Sequence, residues 1–181
     1  MKKATGIVRR IDELGRIVIP KEIRKVLKIR EGESLEIYTS NDDELILKKY
    51  SGLMYNFGLI ADFAESISRT TNHTVIVCDT QNIVAVSGND KKEFETGELD
   101  DNFFDILKKR KTIIKNAEEK NSFVPIIKGG GQFFAQIIYP ILLEDDIIGA
   151  IIMLSYTDTV KFTNQEIKIM EIAADYISKQ L

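Results

Sequence analysis

Pro20 restricts what this chain can fold into more than any other residue. Before it runs Gly15-Arg16-Ile17-Val18-Ile19, and after it Lys21-Glu22-Ile23-Arg24-Lys25-Val26-Leu27-Lys28. Proline suits the first helical position, because its fixed φ fits a helix and its missing N–H would be unpaired there anyway. The run Ile17-Val18-Ile19 does not alternate, which predicts a strand buried on both faces. Beyond Pro20 the period is helical. Lys21, Arg24, Lys25 and Lys28 fall within an arc of roughly 100°, and Ile23, Val26 and Leu27 take the opposite side.

Residues 2–30 hold ten lysines and arginines against three acids. Charge alone leaves two readings open, a solvated polar face and a nucleic-acid surface. The whole chain carries −3 over 181 residues, which argues against a generic nucleic-acid binder. The sign is uneven, however. Residues 1–50 hold twelve bases and nine acids, whereas residues 51–181 hold thirteen bases and nineteen acids. Such asymmetry predicts two modules with different partners.

Around Pro20, Thr5 to Ile11 reads as a strand and Asp12-Glu13-Leu14-Gly15 as a turn. Glu31-Gly32 closes the helix, with Gly32 in the left-handed cap position. Leu35 to Tyr38, a turn at Asn41-Asp42-Asp43, and Glu44 to Tyr50 make a hairpin with a longer connection than the tightest type. Fifty residues with no cysteine pair and no metal ligands make a thin core. A domain of about 60 residues buries only about 60% of its unfolded surface. The unit is therefore expected to be an obligate dimer with interleaved strands, its twofold axis doubling the basic face.

These residues match a known family. Met1-Lys2-Lys3-Ala4-Thr5-Gly6-Ile7-Val8-Arg9-Arg10, Asp12-Glu13-Leu14-Gly15-Arg16-Ile17-Val18-Ile19-Pro20, Lys21 to Lys25, Leu35 to Tyr38 and Lys48-Lys49-Tyr50 resemble the AbrB-type DNA-binding domain over nearly all of residues 1–50. The resemblance implies a swapped-hairpin homodimer that binds double-stranded DNA. It places Arg9, Arg16 and Arg24 on the DNA face. Lys25 stands where arginine is also found, which favours a phosphate contact over a bidentate base contact. Charge and proximity add Lys3 and Arg10. Cations spread over loops and a short helix mostly meet phosphates, so affinity should fall steeply with salt. Few base-reading amides lie near them, which predicts tolerant recognition weighted to DNA shape.

After Ser51-Gly52 the character changes. Leu53, Phe57, Ile60, Ala64 and Ile67 repeat at helical spacing to about Thr71, in a helix that could continue straight from the leading unit. Strands follow at 74–78 and 83–86, then a charged, partly helical stretch from Lys91 to Lys120 with Phe103, Phe104, Ile106 and Leu107 as its apolar part. A strand is expected over Ser122 to Ile127 and a mobile turn at Gly129-Gly130-Gly131. A hairpin then spans Phe133 to Leu143 and Ile147 to Ser155. Thr163-Asn164-Gln165-Glu166 is a capping box. It opens a last helix whose apolar side is too wide to be covered by a sheet alone. This order, and Asp145-Asp146-Ile147-Ile148-Gly149-Ala150-Ile151-Ile152, resemble a GAF domain. The resemblance implies a signal-receiving fold and terminal helices that pack between chains into a homotetramer.

The fold class is thus α+β. Residues 1–52 are expected to form the AbrB-type DNA-binding and dimerisation domain, and residues 53–181 a GAF-like sensory or oligomerisation domain. Together they are similar to transition-state regulators of spore-forming bacteria, which implies regulation of sporulation genes. No catalytic constellation is evident. His73 stands alone, Cys78 in Val-Ile-Val-Cys-Asp reads as a buried apolar residue, and the triple glycine lacks a P-loop ending. No cofactor and no metal are expected. A small-molecule or protein signal remains open for the C-terminal domain, as does an enzyme there. A lone cysteine fits a reducing compartment. No signal-peptide run or membrane span is evident, so a cytoplasmic, nucleoid-associated protein is expected.

Overall fold

The computed structural model describes residues 6–41, 43–89, 91–119 and 123–181. The chain divides into two compact units, Met1–Tyr50 and Ser51–Leu181.

The leading unit holds one helix and one hairpin. Helix α1 spans Lys21–Val26, and Pro20, expected at the first helical position, is instead its N-cap at ψ 148°. Strands β1 (Leu35–Thr39) and β2 (Leu45–Lys49) pair antiparallel, Leu35 opposite Lys49 and Thr39 opposite Leu45. The Ser40 N–H donates to the Glu44 carbonyl at 3.0 Å and closes the hairpin, with Asp43 left-handed at φ 56°.

Three expectations are corrected here. Residues 6–11 and 17–19 carry no strand ladder. They flank a turn in which the Asp12 N–H donates to the Arg16 carbonyl at 3.0 Å and the Gly15 N–H to the Asp12 carbonyl at 2.9 Å. A strand exists only with a partner, and β1 and β2 pair with each other. The run 17–19 is also not enclosed: Val18 is 72% exposed, like Val8 at 86% and Val26 at 78%. Finally, the helix ends before Gly32. Lys28 takes the left-handed position at φ 53°. The Ile29 N–H reaches the Arg24 carbonyl at 2.7 Å and the Lys28 N–H the Lys25 carbonyl at 3.2 Å, the paired bonds of a Schellman motif. Lys49 Nζ donates to the Lys28 carbonyl at 2.6 Å and lies 3.5 Å from Glu33, so the hairpin holds a lysine where glycine is usual. No described residue of this unit is buried.

The second unit is a five-stranded antiparallel sheet, in the order β4-β3-β7-β6-β5. Its strands are β3 (Thr74–Asp79), β4 (Ile83–Ser87), β5 (Ile113–Lys115), β6 (Ala135–Leu143) and β7 (Asp146–Ser155). One face carries α3 (Phe57–Thr71) and α6 (Asn164–Ser178), whose Ile60, Ala64, Ile67, Met170, Ala173 and Ile177 pack on Val75, Val77, Ile137, Ile151 and Met153. The other carries α4 (Lys91–Thr96), α5 (Phe103–Leu107) and the loops, with Phe94, Phe103, Leu107, Ile126, Ile127 and Phe133 against Ile76, Cys78, Ile138 and Ile152. Burial on both faces explains why the central strands read as continuous apolar runs. Gly149 on β7 has a steric reason. A Cβ there would lie 2.1 Å from the Cys78 carbonyl oxygen of β3.

The capping box is present, with Thr163 and Glu166 each satisfying the other's backbone. The helix expected from Leu53 is instead two. Ser51 caps α2 (Gly52–Tyr55), and Asn56 interrupts before α3. The strand expected over 122–127 is also corrected. Residues 123–127 form only an isolated bridge, Ile127 to Leu99, and the fifth strand lies in the stretch read as partly helical. The buried Gln136 side chain supplies what a strand neighbour would. Its Oε1 accepts the Val124 N–H and its Nε2 donates to the Val124 carbonyl, both at 2.9 Å. A 3₁₀ turn at Ala117–Glu119 follows β5.

Candidate nucleic-acid interface

The candidate cations occupy two places in the leading unit, the turn around Asp12 and helix α1. Asp12 organises the turn. Its Oδ1 accepts the Leu14 N–H at 3.0 Å and the Arg16 N–H at 2.8 Å, and its Oδ2 accepts Arg16 Nε at 2.8 Å. The Arg16 backbone bond, then the Arg16 side-chain bond, hold the Asp12 carboxyl below the usual carboxylate range. Among the described residues only Nε of Arg16 is engaged, so the two terminal nitrogens of an exposed guanidinium stay available on a fixed base. Gly15, at φ 75°, makes the tight return possible.

Arg9 and Arg10 lie just before this turn, exposed and without an ion-pair partner among the described residues. Lys25 is exposed on α1. Arg24 is half-buried, and its Nε is shielded from water with no hydrogen-bond acceptor among the described residues. An unsatisfied guanidinium nitrogen is costly. Lys28 leaves the expected cationic arc, because its left-handed backbone ends the helical period. Lys3 lies outside the described residues. From the sequence alone Asp12 is turn chemistry only. An acid four residues before an arginine, across a glycine turn, was the available signal.

In the second unit, the face under α4 and α5 is filled by phenylalanine and isoleucine rather than hollow. A shallow groove of about 220 Å³ runs beside β4, with Phe57 and Ala61 of α3 on one wall and Lys91 and Glu95 of α4 on the other. Burial, then the Asp79 charge, push the Cys78 thiol up to about 12, so it is not a nucleophile at neutral pH. His73 meets Phe162 edge-on at 5.0 Å, and burial lowers its pKa against the opposing pull of Glu166. Among the described residues no cluster of His, Cys, Asp and Glu could hold a metal ion, and no helix is long and apolar enough to cross a membrane.

Comparison with known proteins agrees with this arrangement. The family model described as stage V sporulation protein T C-terminal, transcription factor, matches residues 58–181. The model described as antidote-toxin recognition MazE, bacterial antitoxin, matches residues 8–53. Over 48 residues, 26% of this chain and 49% of the relative, the chain is 60% identical to the transition state regulatory protein AbrB of Bacillus subtilis (strain 168). Over 179 residues, 99% of this chain and 98% of the relative, it is 36% identical to stage V sporulation protein T of the same organism. A GAF domain from an Acinetobacter phosphoenolpyruvate-protein phosphotransferase superposes with a TM-score of 0.52 at 9% identity, covering 71% of this chain and 87% of that one. That likeness concerns the fold alone. An AbrB-like leading unit joined to a GAF-fold unit defines a transcription regulator. The chain belongs to the stage V sporulation protein T family.

Proposed function

We propose that this regulator binds double-stranded DNA as a dimer completed through residues 1–52 and acts on sporulation genes. Arg9, Arg16, Arg24 and Lys25, joined by Arg10 and Lys3, form the contact face. The observation that carries this reading is a unit with exposed cations and no buried residue among those described. Val8, Val18, Val26 and Leu45 lie open on a fold that pairs only two strands of its own. A second copy that adds residues 6–11 and 17–19 to a shared sheet would cover them and bring two cationic faces together. The cations would meet mostly phosphates, with recognition tolerant of sequence. A protein that works on DNA in this way is cytoplasmic and nucleoid-associated.

Residues 53–181 receive a signal or set the oligomeric state. The exposed Ile172 and half-exposed Tyr176 of α6, with Tyr176 stacked on Phe63 of α3 at 5.1 Å, offer a helical face for a tetramer. The filled face under α4 and α5 favours a protein signal over a small molecule. The deeply buried thiol weighs against catalysis. The test is Arg16→Ala in the full chain. Operator binding should fall to the level of random DNA, with the dimer and its circular dichroism unchanged. Parental binding at physiological salt would remove Arg16 from the face.

A further inference from the structure

A second cationic surface lies in the acidic unit. Lys108-Lys109-Arg110-Lys111 are consecutive and all exposed, and they supply four of the thirteen bases in residues 51–181. Both ends of the run are anchored. Before it, Phe103 and Leu107 of α5 are buried in the core; after it, Ile113 of β5 pairs with Ile138 of β6. The Lys109 N–H donates to the Ile106 carbonyl at 3.2 Å and the Arg110 N–H to the Leu107 carbonyl at 2.8 Å, so the run starts as the last tight turn of α5. It then reverses at Arg110, left-handed at φ 53°. A non-glycine residue is seldom held in that region without compensation.

The neighbouring acids do not neutralise the run. Lys108 meets Asp105 at 2.6 Å and Arg110 meets Asp145 at 3.8 Å. Both pairs are exposed, and exposed pairs hold their partners weakly. Lys109 and Lys111 have no ion-pair partner among the described residues. Folded through this turn, the four residues span less than the length of an extended run, about 13 Å, and form a compact cluster of charge suited to a short stretch of phosphate backbone. A fixed turn presents these charges without first having to be ordered.

We infer that Lys108–Lys111 form a second contact surface for the phosphate backbone of duplex DNA, separate from the leading unit. This inference rests on the DNA-binding reading above. The surface recognises charge and carries no base information, so it adds affinity without sequence preference.

The test uses the full chain with Lys109 and Lys111 both changed to Gln, the two cations with no acid to lose. Binding to an operator duplex and to a random duplex is measured across a salt series. Each lost phosphate contact lowers the slope of log K against log salt by about 0.9. The double variant should therefore lose up to about 1.8 for each protomer whose run touches the duplex, on both duplexes, with melting temperature and solution mass unchanged. An unchanged slope, while Arg16→Ala abolishes operator binding, overturns this inference and leaves the DNA-binding reading standing. Parental protein that shows no salt-dependent binding overturns both. Cations beside an edge strand also deter association, so a variant that aggregates through β5 is replaced by Lys109→Gln alone. A parental slope for that soluble variant overturns the inference too.

Discussion

The two units solve the same burial problem with opposite success. In the second, both faces of the sheet are covered and Val75, Ile76, Val77 and Cys78 of β3 are wholly enclosed. In the first, comparable apolar residues stand open and no described residue is buried. Hydrophobic content does not explain this, since Ile17-Val18-Ile19 is as apolar as most of β3. Size and strand number do. A sheet of five strands between two layers has an inside, whereas a two-stranded hairpin with a one-turn helix does not. On the proposed reading a second copy completes the first unit and doubles the surface on which its cations lie.

The sharpest way to break this contrast is Val18→Asp. If the leading unit is finished alone, a change at a position 72% exposed alters stability by no more than ~0.5 kcal/mol. If a partner chain covers it, a buried unpaired charge costs about 3 kcal/mol or more, a loss of roughly a hundredfold in dimer affinity. Sedimentation equilibrium of the full chain separates the two outcomes. Phe103→Ala is the opposite probe. It empties a closed core and should cost about 3–5 kcal/mol, lowering the melting temperature of the second unit by roughly 10–20 °C. Operator binding at low temperature should survive it.

Asp12→Asn sharpens the comparison at the site. It removes a negative charge from the cationic face, so charge counting predicts tighter DNA binding. The observed anchoring of Arg16 predicts weaker binding, by roughly twofold to fivefold. In an Arg16→Ala background the sign should revert, because nothing is left to position. A fluorescence-anisotropy cycle over the four proteins reads this directly. The smallest effect belongs to His73. Burial depresses its folded pKa below the unfolded value of 6.5, so the unfolded chain binds more protons between the two values. Stability of the second unit should therefore be full above about pH 7.5 and decline as pH falls through 6.5 towards the folded pKa. His73→Gln should flatten that part of a urea-midpoint profile.

Much of the second unit was legible because its signals are local. The Thr163–Glu166 box, the helical repeat of Ile60, Ala64 and Ile67, and the runs of β3, β6 and β7 each state their own conformation. The misreadings fall where a distant group decided. Val124 looks like strand and lacks a ladder because the Gln136 side chain occupies its backbone groups. Lys28 looks helical and turns left-handed because Lys49, from the hairpin, caps its carbonyl. At the candidate site, Arg9, Arg16 and Lys25 were readable as cations near a turn and a helix. The Asp12 anchor and the shielded Nε of Arg24 were not, since both depend on atoms meeting in space.

The sequence by itself determined where apolar and charged residues fall, hence a helix beginning beside Pro20, the capping box, the alternation and the uneven charge. These are properties of neighbours along the chain, and short-range sterics and hydrogen bonds enforce them. The tertiary structure alone decided which strand edges pair, which apolar faces are covered and which arginine nitrogens remain open. Those outcomes turn on contacts between residues far apart in the chain, and no local preference encodes them.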